Sequence, residues 1–205
     1  MNAPTFRATG RRSASGLLCG LLLGINSSLP APAATPQAIG WEPVGLSGGG
    51  GMFTPAISPA DPDLLILNCD MSAVYLSEDG GRNWRMIHHA QLRSDTRCRP
   101  AFHPTDRNVL FASSNGRLRI SRDRGMTFTA IGNLNEALFG EIAINPADPA
   151  LMLAGTANGR CARSHDGGVT WQTCNGPVGP LIAFHFDRTR KGRTLFAATD
   201  RGIWQ

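Results

Sequence analysis

No apolar run in this 205-residue chain is long enough to cross a bilayer, so no membrane span is expected once residues 1–33 are removed. Neither a Cys-x-x-Cys nor a His-x-x-x-His spacing occurs, so neither a metal nor another cofactor is assigned. Ser47-Gly-Gly-Gly-Gly51 lacks the Gly-Lys-Ser/Thr ending of a phosphate loop. It either lets the backbone pass close to a ligand or simply turns into the first strand. The five histidines do not assemble into a Ser/His/Asp triad. Charge is scarce, at 17 % of residues. Without Arg7, Arg11 and Arg12, the charged residues of the first 33, the formal net charge falls from +5 to +2. That balance removes the main electrostatic support for nucleic-acid binding.

Those arginines precede the short apolar core Leu17-Leu-Cys-Gly-Leu-Leu-Leu-Gly-Ile25 and the small-residue site Ala31-Pro-Ala33. Basic, apolar, then small is the order of an export signal over 1–33, and a secreted or periplasmic location is expected. Cys69, Cys98, Cys161 and Cys174 remain in the chain from Ala34 onward. An even number of cysteines in an exported chain points to disulfides, with buried free thiols as the alternative. Cys161 lies three residues before Ser164 and Cys174 three after Trp171, so a hairpin between them sets the two opposite each other. Cys69 with Cys98 follows by elimination.

Glycine (24) and proline (14) are plentiful and suit a fold of many turns. One short pattern recurs: Ser77-Glu-Asp79-Gly-Gly81-Arg-Asn-Trp84, Ser121-Arg-Asp123-Arg-Gly125-Met-Thr-Phe128, and Ser164-His-Asp166-Gly-Gly168-Val-Thr-Trp171. Its serines are 44 and 43 residues apart, the length of a four-stranded propeller blade. Each pattern follows an apolar strand that ends in a Pro/Asp turn: Ile57-Ser-Pro-Ala-Asp61, Phe102-His-Pro-Thr-Asp106 and Ile144-Asn-Pro-Ala-Asp148. Phe184-His-Phe-Asp187 is a fourth, degenerate copy. The expected fold is all-β, a partial propeller over 34–205. Its blades fall near 41–90, 91–133, 134–176 and 177–205, the last with three strands. Closing the ring then calls for further blades.

The repeated pattern is the Asp-box of propeller proteins. Its aspartates can accept backbone N–H groups within the turn, its glycines suit positive φ, and its aromatic rings can bury between blades. Asp79, Asp123 and Asp166, with Ser77, Gly81, Trp84, Ser121, Gly125, Phe128, Ser164, Gly168 and Trp171, are therefore expected to be structural. Asp70 lies outside the boxes, between the second and third strands of the first blade. By composition it reads as a turn residue, like Asn115-Gly116 and Asn158-Gly159 in the equivalent loops.

The stretch from Val44 to Gly51, with Ile57-Ser-Pro-Ala-Asp-Pro62 and Cys69-Asp-Met-Ser-Ala-Val-Tyr75-Leu-Ser77, resembles the N-terminal start of xyloglucanase-type glycoside hydrolases. The resemblance implies a secreted two-propeller enzyme that cleaves β-1,4-glucan with inversion. It implies Asp70 as catalytic base, and the partner acid in a second propeller. Ser72 and Val74 depart from the family's Gly-Gly-Ala-Tyr run. Trp41, Phe53 and Tyr75 are candidates for a sugar-stacking surface, with core packing as the alternative. The repeats also look like those of sortilin-type receptors, sialidases and photosystem assembly-factor propellers. The functional expectation is thus a hydrolase-like propeller, inactive alone, with a polysaccharide or protein ligand. The other reading is a non-catalytic binding or assembly module. Missing blades supplied by another chain are a further expected partner.

Overall fold

The computed structural model describes residues 40, 42–43, 46, 50–94, 99–176, 179–190 and 194–205. The signal-like segment, Trp41, most of the glycine loop and Cys98 lie outside the described residues. The strands all fall in the compact unit Glu42–Gln205 and form four small antiparallel sheets arranged as propeller blades.

The first sheet has β1 (Met52–Ser58), β2 (Asp61–Cys69), β3 (Val74–Ser77) and β4 (Arg85–Ile87) in sequential order. The second has β5 (Arg99–Phe102), β6 (Leu110–Ser114), β7 (Arg117–Ser121) and β8 (Thr129–Ala130). The third has β9 (Leu138–Ile144), β10 (Met152–Thr156), β11 (Cys161–Ser164) and β12 (Gln172–Cys174). The fourth has β13 (Leu181–Phe186), β14 (Leu195–Thr199) and β15 (Gly202–Trp204). The first strands of consecutive sheets pack side by side, β1 on β5, β5 on β9 and β9 on β13. This is the inner ring of a propeller.

Burial follows from that stacking. β6 and β10 are buried at every residue because their sheets have a neighbour on each face. Leu64, Ile66, Val74, Leu76 and Ile87 of the first sheet share one core with Phe102, Leu110, Ala112 and Phe128 of the second. Phe111, Leu118 and Ile120 of the second sheet meet Met152, Ala154 and Trp171 of the third. Leu153 and Cys161 of the third meet Phe184, Phe186 and Ala197 of the fourth. Phe128 and Trp171 therefore pack toward the preceding blade, and burying such a ring stabilises by about 2–3 kcal/mol. At the two ends of the series the sheets carry exposed apolar side chains. These are Ile57 (61 %) and Met86 (67 %) on the first sheet, and Ile203 (79 %) on the fourth.

Candidate functional site

Each Asp-box is a closed network of short bonds. The serine hydroxyl donates to the aspartate Oδ1, at 2.9 Å for Ser77, 2.7 Å for Ser121 and 2.7 Å for Ser164. The serine oxygen itself accepts the N–H of Gly81 (2.8 Å), Gly125 (2.7 Å) or Gly168 (2.9 Å). Asp79 accepts the N–H and side-chain amide of Asn83, and Asp166 the hydroxyl and N–H of Thr170. These bonds to the charged form hold both carboxyls down at about 2, below the ordinary 3.8. Trp84 and Trp171 donate their indole N–H to the carbonyls of Gly81 and Gly168. With both carboxylate oxygens bonded inside the turn, these aspartates serve the hairpin.

The second box differs at the residue after its aspartate, as well as in its closing aromatic, Phe128. Arg124 stands at φ +59°, where the other boxes have Gly80 (+71°) and Gly167 (+69°). Its guanidinium reaches back to the first blade, 2.6 Å from Asp61 Oδ2 and 3.2 Å from Glu78 Oε1. The Asp61 bond pulls that carboxyl below its ordinary value. An ion pair between blades thus holds a side chain in a backbone region that otherwise favours glycine. The replacement of glycine by arginine is visible in the sequence; its distant partners are not.

Asp70 lies at the turn between β2 and β3, outside the boxes. Its Oδ1 accepts the N–H of Gly51 at 2.8 Å, and its own N–H donates to the Gly51 carbonyl at 3.2 Å. Gly50 has φ +108°, and a β-carbon there would lie 2.5 Å from Asp70 Oδ1. Glycine therefore lets the chain lie against this carboxylate. The Phe53 ring covers the same backbone, with its Cε2 2.8 Å from where a Gly51 β-carbon would stand. Directly after Phe53 the β1–β2 register shifts and Thr54 takes φ +50°. A bulge with a strained β-branched residue thus adjoins Asp70 and Phe53.

The candidate aromatics do not form one surface. Phe53 pairs with Asn68 and Asn68 with Val74, which puts all three on the face toward the second sheet. Tyr75, next to Val74, lies on the opposite face, where its hydroxyl donates to Ser72 Oγ at 3.0 Å. Trp41 is outside the described residues.

Register makes Asn115, Ala157 and Asp200 the counterparts of Asp70 on the other sheets. Asp200 repeats its contact, since a β-carbon on Gly179 (φ +125°) would lie 2.5 Å from Asp200 Oδ1. The β2–β3-type turns thus build one rim, with carboxylates on the first and fourth sheets. A second concavity, about 210 Å³, opens where β5, β9 and β13 meet, lined by Phe102, Pro104, Glu141, Pro146, Phe184 and Arg188. Burial raises the Glu141 carboxyl above its ordinary value, while it accepts the Phe184 N–H at 3.0 Å. Glu141 belongs to no sequence motif; its signal is a charge inside the apolar run Leu138–Ile144. No cluster of three or more metal-ligating side chains occurs among the described residues.

Cys161 and Cys174 stand directly opposite each other on β11 and β12. The anticipated bond between them is not formed, and both are free thiols. The Cys174 thiol is turned onto the Cys161 carbonyl oxygen, 3.2 Å away. Cys98, the other half of the Cys69 pairing, is outside the described residues.

The BNR/Asp-box repeat family matches residues 162–173, the third box and its flanks. A curated protein of Neosartorya fischeri, "Probable oligoxyloglucan-reducing end-specific xyloglucanase", is 26 % identical over 164 residues, covering 71 % of this chain and 20 % of that protein. An ancestral GH74 enzyme superposes with a TM-score of 0.66 at 19 % identity, over 82 % of this chain and 24 % of that one. YCF48 from Cyanidioschyzon merolae superposes at 0.53 and 17 % identity, over 79 % and 55 %. YCF48 bound to D1 peptide gives 0.51 at 19 %, over 76 % and 49 %. The chain spans about a fifth of the curated relative and a quarter of the GH74 enzyme. This chain is an Asp-box β-propeller whose sequence resembles that of a xyloglucanase and whose fold is similar to those of the GH74 enzyme and YCF48.

Proposed function

We propose that this propeller recognises a β-1,4-glucan such as xyloglucan on the rim that carries Asp70. One observation carries the reading: a carboxylate fixed by the Gly51 N–H lies beside the ring of Phe53. Sugars need that pairing, a hydrogen-bond acceptor for hydroxyls next to an apolar plate for the pyranose face. In this reading Asp70 takes the place of a general base and Phe53 supplies the stacking. Tyr75, on the opposite face of the first sheet, contributes only beyond its edge.

Inverting hydrolysis takes a second carboxyl roughly 6.5–9.5 Å from the first, with a water between them. We assign no such partner in this chain, so binding without turnover is the activity expected of it alone. The exposed apolar faces of the first and fourth sheets take further blades of the same kind, because each blade pair within the chain buries equivalent faces. The basic, apolar and small-residue order of 1–33 supports a secreted or periplasmic location.

Native gel electrophoresis with xyloglucan cast in the gel tests the reading. The chain is expected to be retarded, Phe53→Ala to run freely, and no reducing ends to be released. Unretarded migration of a folded chain on every β-glucan would overturn it. A second reading, a propeller that holds a protein segment, draws on the YCF48–D1 peptide likeness. It predominates if peptides and not glucans retard the chain.

A further inference from the structure

We propose that Cys174 is a thiol modification site for low-molecular-weight disulfides, with Cys161 as the resolving thiol that converts the adduct into a β11–β12 crosslink. The geometry is that of a two-thiol relay. The two residues are register partners at the open end of the Asp-box hairpin, so their β-carbons stand side by side. Cys174 is half-buried and lines a cleft of about 590 Å³ with Arg160, Asn175 and Trp204. Cys161 is 4 % exposed and packs in the core between the third and fourth sheets. One thiol is within reach of a solute and the other is not.

The chemical state of the pair agrees with that division. The neighbouring Cys161 thiol and the charge of Arg163 lower the Cys174 thiol to about 7. The neighbouring Cys174 and burial raise Cys161. Cys174 is thus the thiolate near neutral pH, and Cys161 stays protonated beside it. Cys69 lacks this arrangement: it is fully buried and lies against Asp70, with its Sγ 4.0 Å from Oδ1.

With oxidised glutathione as the oxidant, the Cys174 thiolate attacks one glutathione sulfur. A Cys174–glutathione bond forms, and the glutathione S–S bond breaks to release one glutathione thiolate. Cys161 then gives its proton to that thiolate and attacks the Cys174 sulfur. The protein S–S bond forms and the second glutathione leaves. The protein loses two electrons and one oxidised glutathione becomes two reduced ones. The crosslink closes next to the turn Ala157–Gly159, the third-sheet counterpart of the Asp70 turn. Redox state thereby bears on the stiffness of that rim.

The test is a time course of the folded chain in oxidised glutathione, quenched with acid and mapped by peptide mass spectrometry. Wild type is expected to pass through a Cys174 adduct to a Cys161–Cys174 crosslink, with Tm raised by roughly 6–12 °C. Cys161→Ser is expected to stop at the Cys174 adduct, and Cys174→Ser to leave Cys161 unmodified. Cys161→Ala replaces the serine variant if the buried hydroxyl unfolds the chain. A first adduct on Cys161, an adduct that never resolves in wild type, or an unmodified Cys174 would each overturn the proposal; the wild-type time course decides without any variant.

Discussion

Substituting alanine for Gly125 is expected to destabilise the fold by about 2–5 kcal/mol, through two separable costs. The residue holds φ at +80°, where a β-carbon costs about 1–2 kcal/mol. That β-carbon would also stand 2.4 Å from Leu76 Cδ1 on the preceding blade. Leu76 is 1 % exposed inside the core between the first two sheets, so it has little room to withdraw. Overpacking of this kind costs about 1–3 kcal/mol more. Gly167 is the control: its φ is +69° but nothing lies within 4 Å of its missing β-carbon. Gly167→Ala therefore loses only the backbone part, about 1–2 kcal/mol. Urea unfolding followed by tryptophan fluorescence gives both values, with the denaturant slope expected to stay unchanged. Trimming the leucine in Gly125→Ala/Leu76→Ala should make the pair less than additive. Equal losses from Gly125→Ala and Gly167→Ala would refute the reasoning, leaving the second-box glycine a turn residue with no part in joining blades.

Acid tests the boxes. Asp79 and Asp166 have folded-state carboxyls lowered to about 2 from 3.8, so their stabilisation is complete above about pH 4 and disappears as pH falls toward 2. Asp166→Asn should flatten that part of the urea–pH profile, and an unaltered profile would contradict the assignment. The Arg124 pairs make stability salt-dependent: Asp61→Asn should be less stable than wild type in dilute buffer and less sensitive to added NaCl. Parallel salt curves would mean the pairs contribute nothing. Alkylation of Cys174 by iodoacetamide should accelerate through about pH 7, where the neighbouring Cys161 thiol and the Arg163 charge favour its thiolate. A midpoint at the ordinary 9.0 would remove both influences.

What the sequence made legible is what its near neighbours control. The box hydrogen bonds join residues two to four apart, so the serine, aspartate and glycine pattern reports them directly. The blade period and the order of strands follow from the same local signals. Contacts between blades were not legible. Arg124 meets Asp61 and Glu78 at separations of 63 and 46 residues, and Glu141 meets Phe184 at 43. No local pattern encodes which side chain of one blade faces which of the next. Phe53 and Tyr75 separate for a related reason: strand register, and not composition, decides that they lie on opposite faces. The thiols were placed opposite each other by hairpin spacing, but the direction in which the Cys174 sulfur points is a rotamer choice the spacing does not set.

The rim itself is best tested by hydrogen–deuterium exchange of the folded chain with and without a xyloglucan oligosaccharide. Slower exchange is expected in the peptides carrying Gly51–Phe53 and Cys69–Ser72, with the Asp-box hairpins unchanged. Protection confined to the hairpins, or none at saturating oligosaccharide, would contradict a glucan site at Asp70.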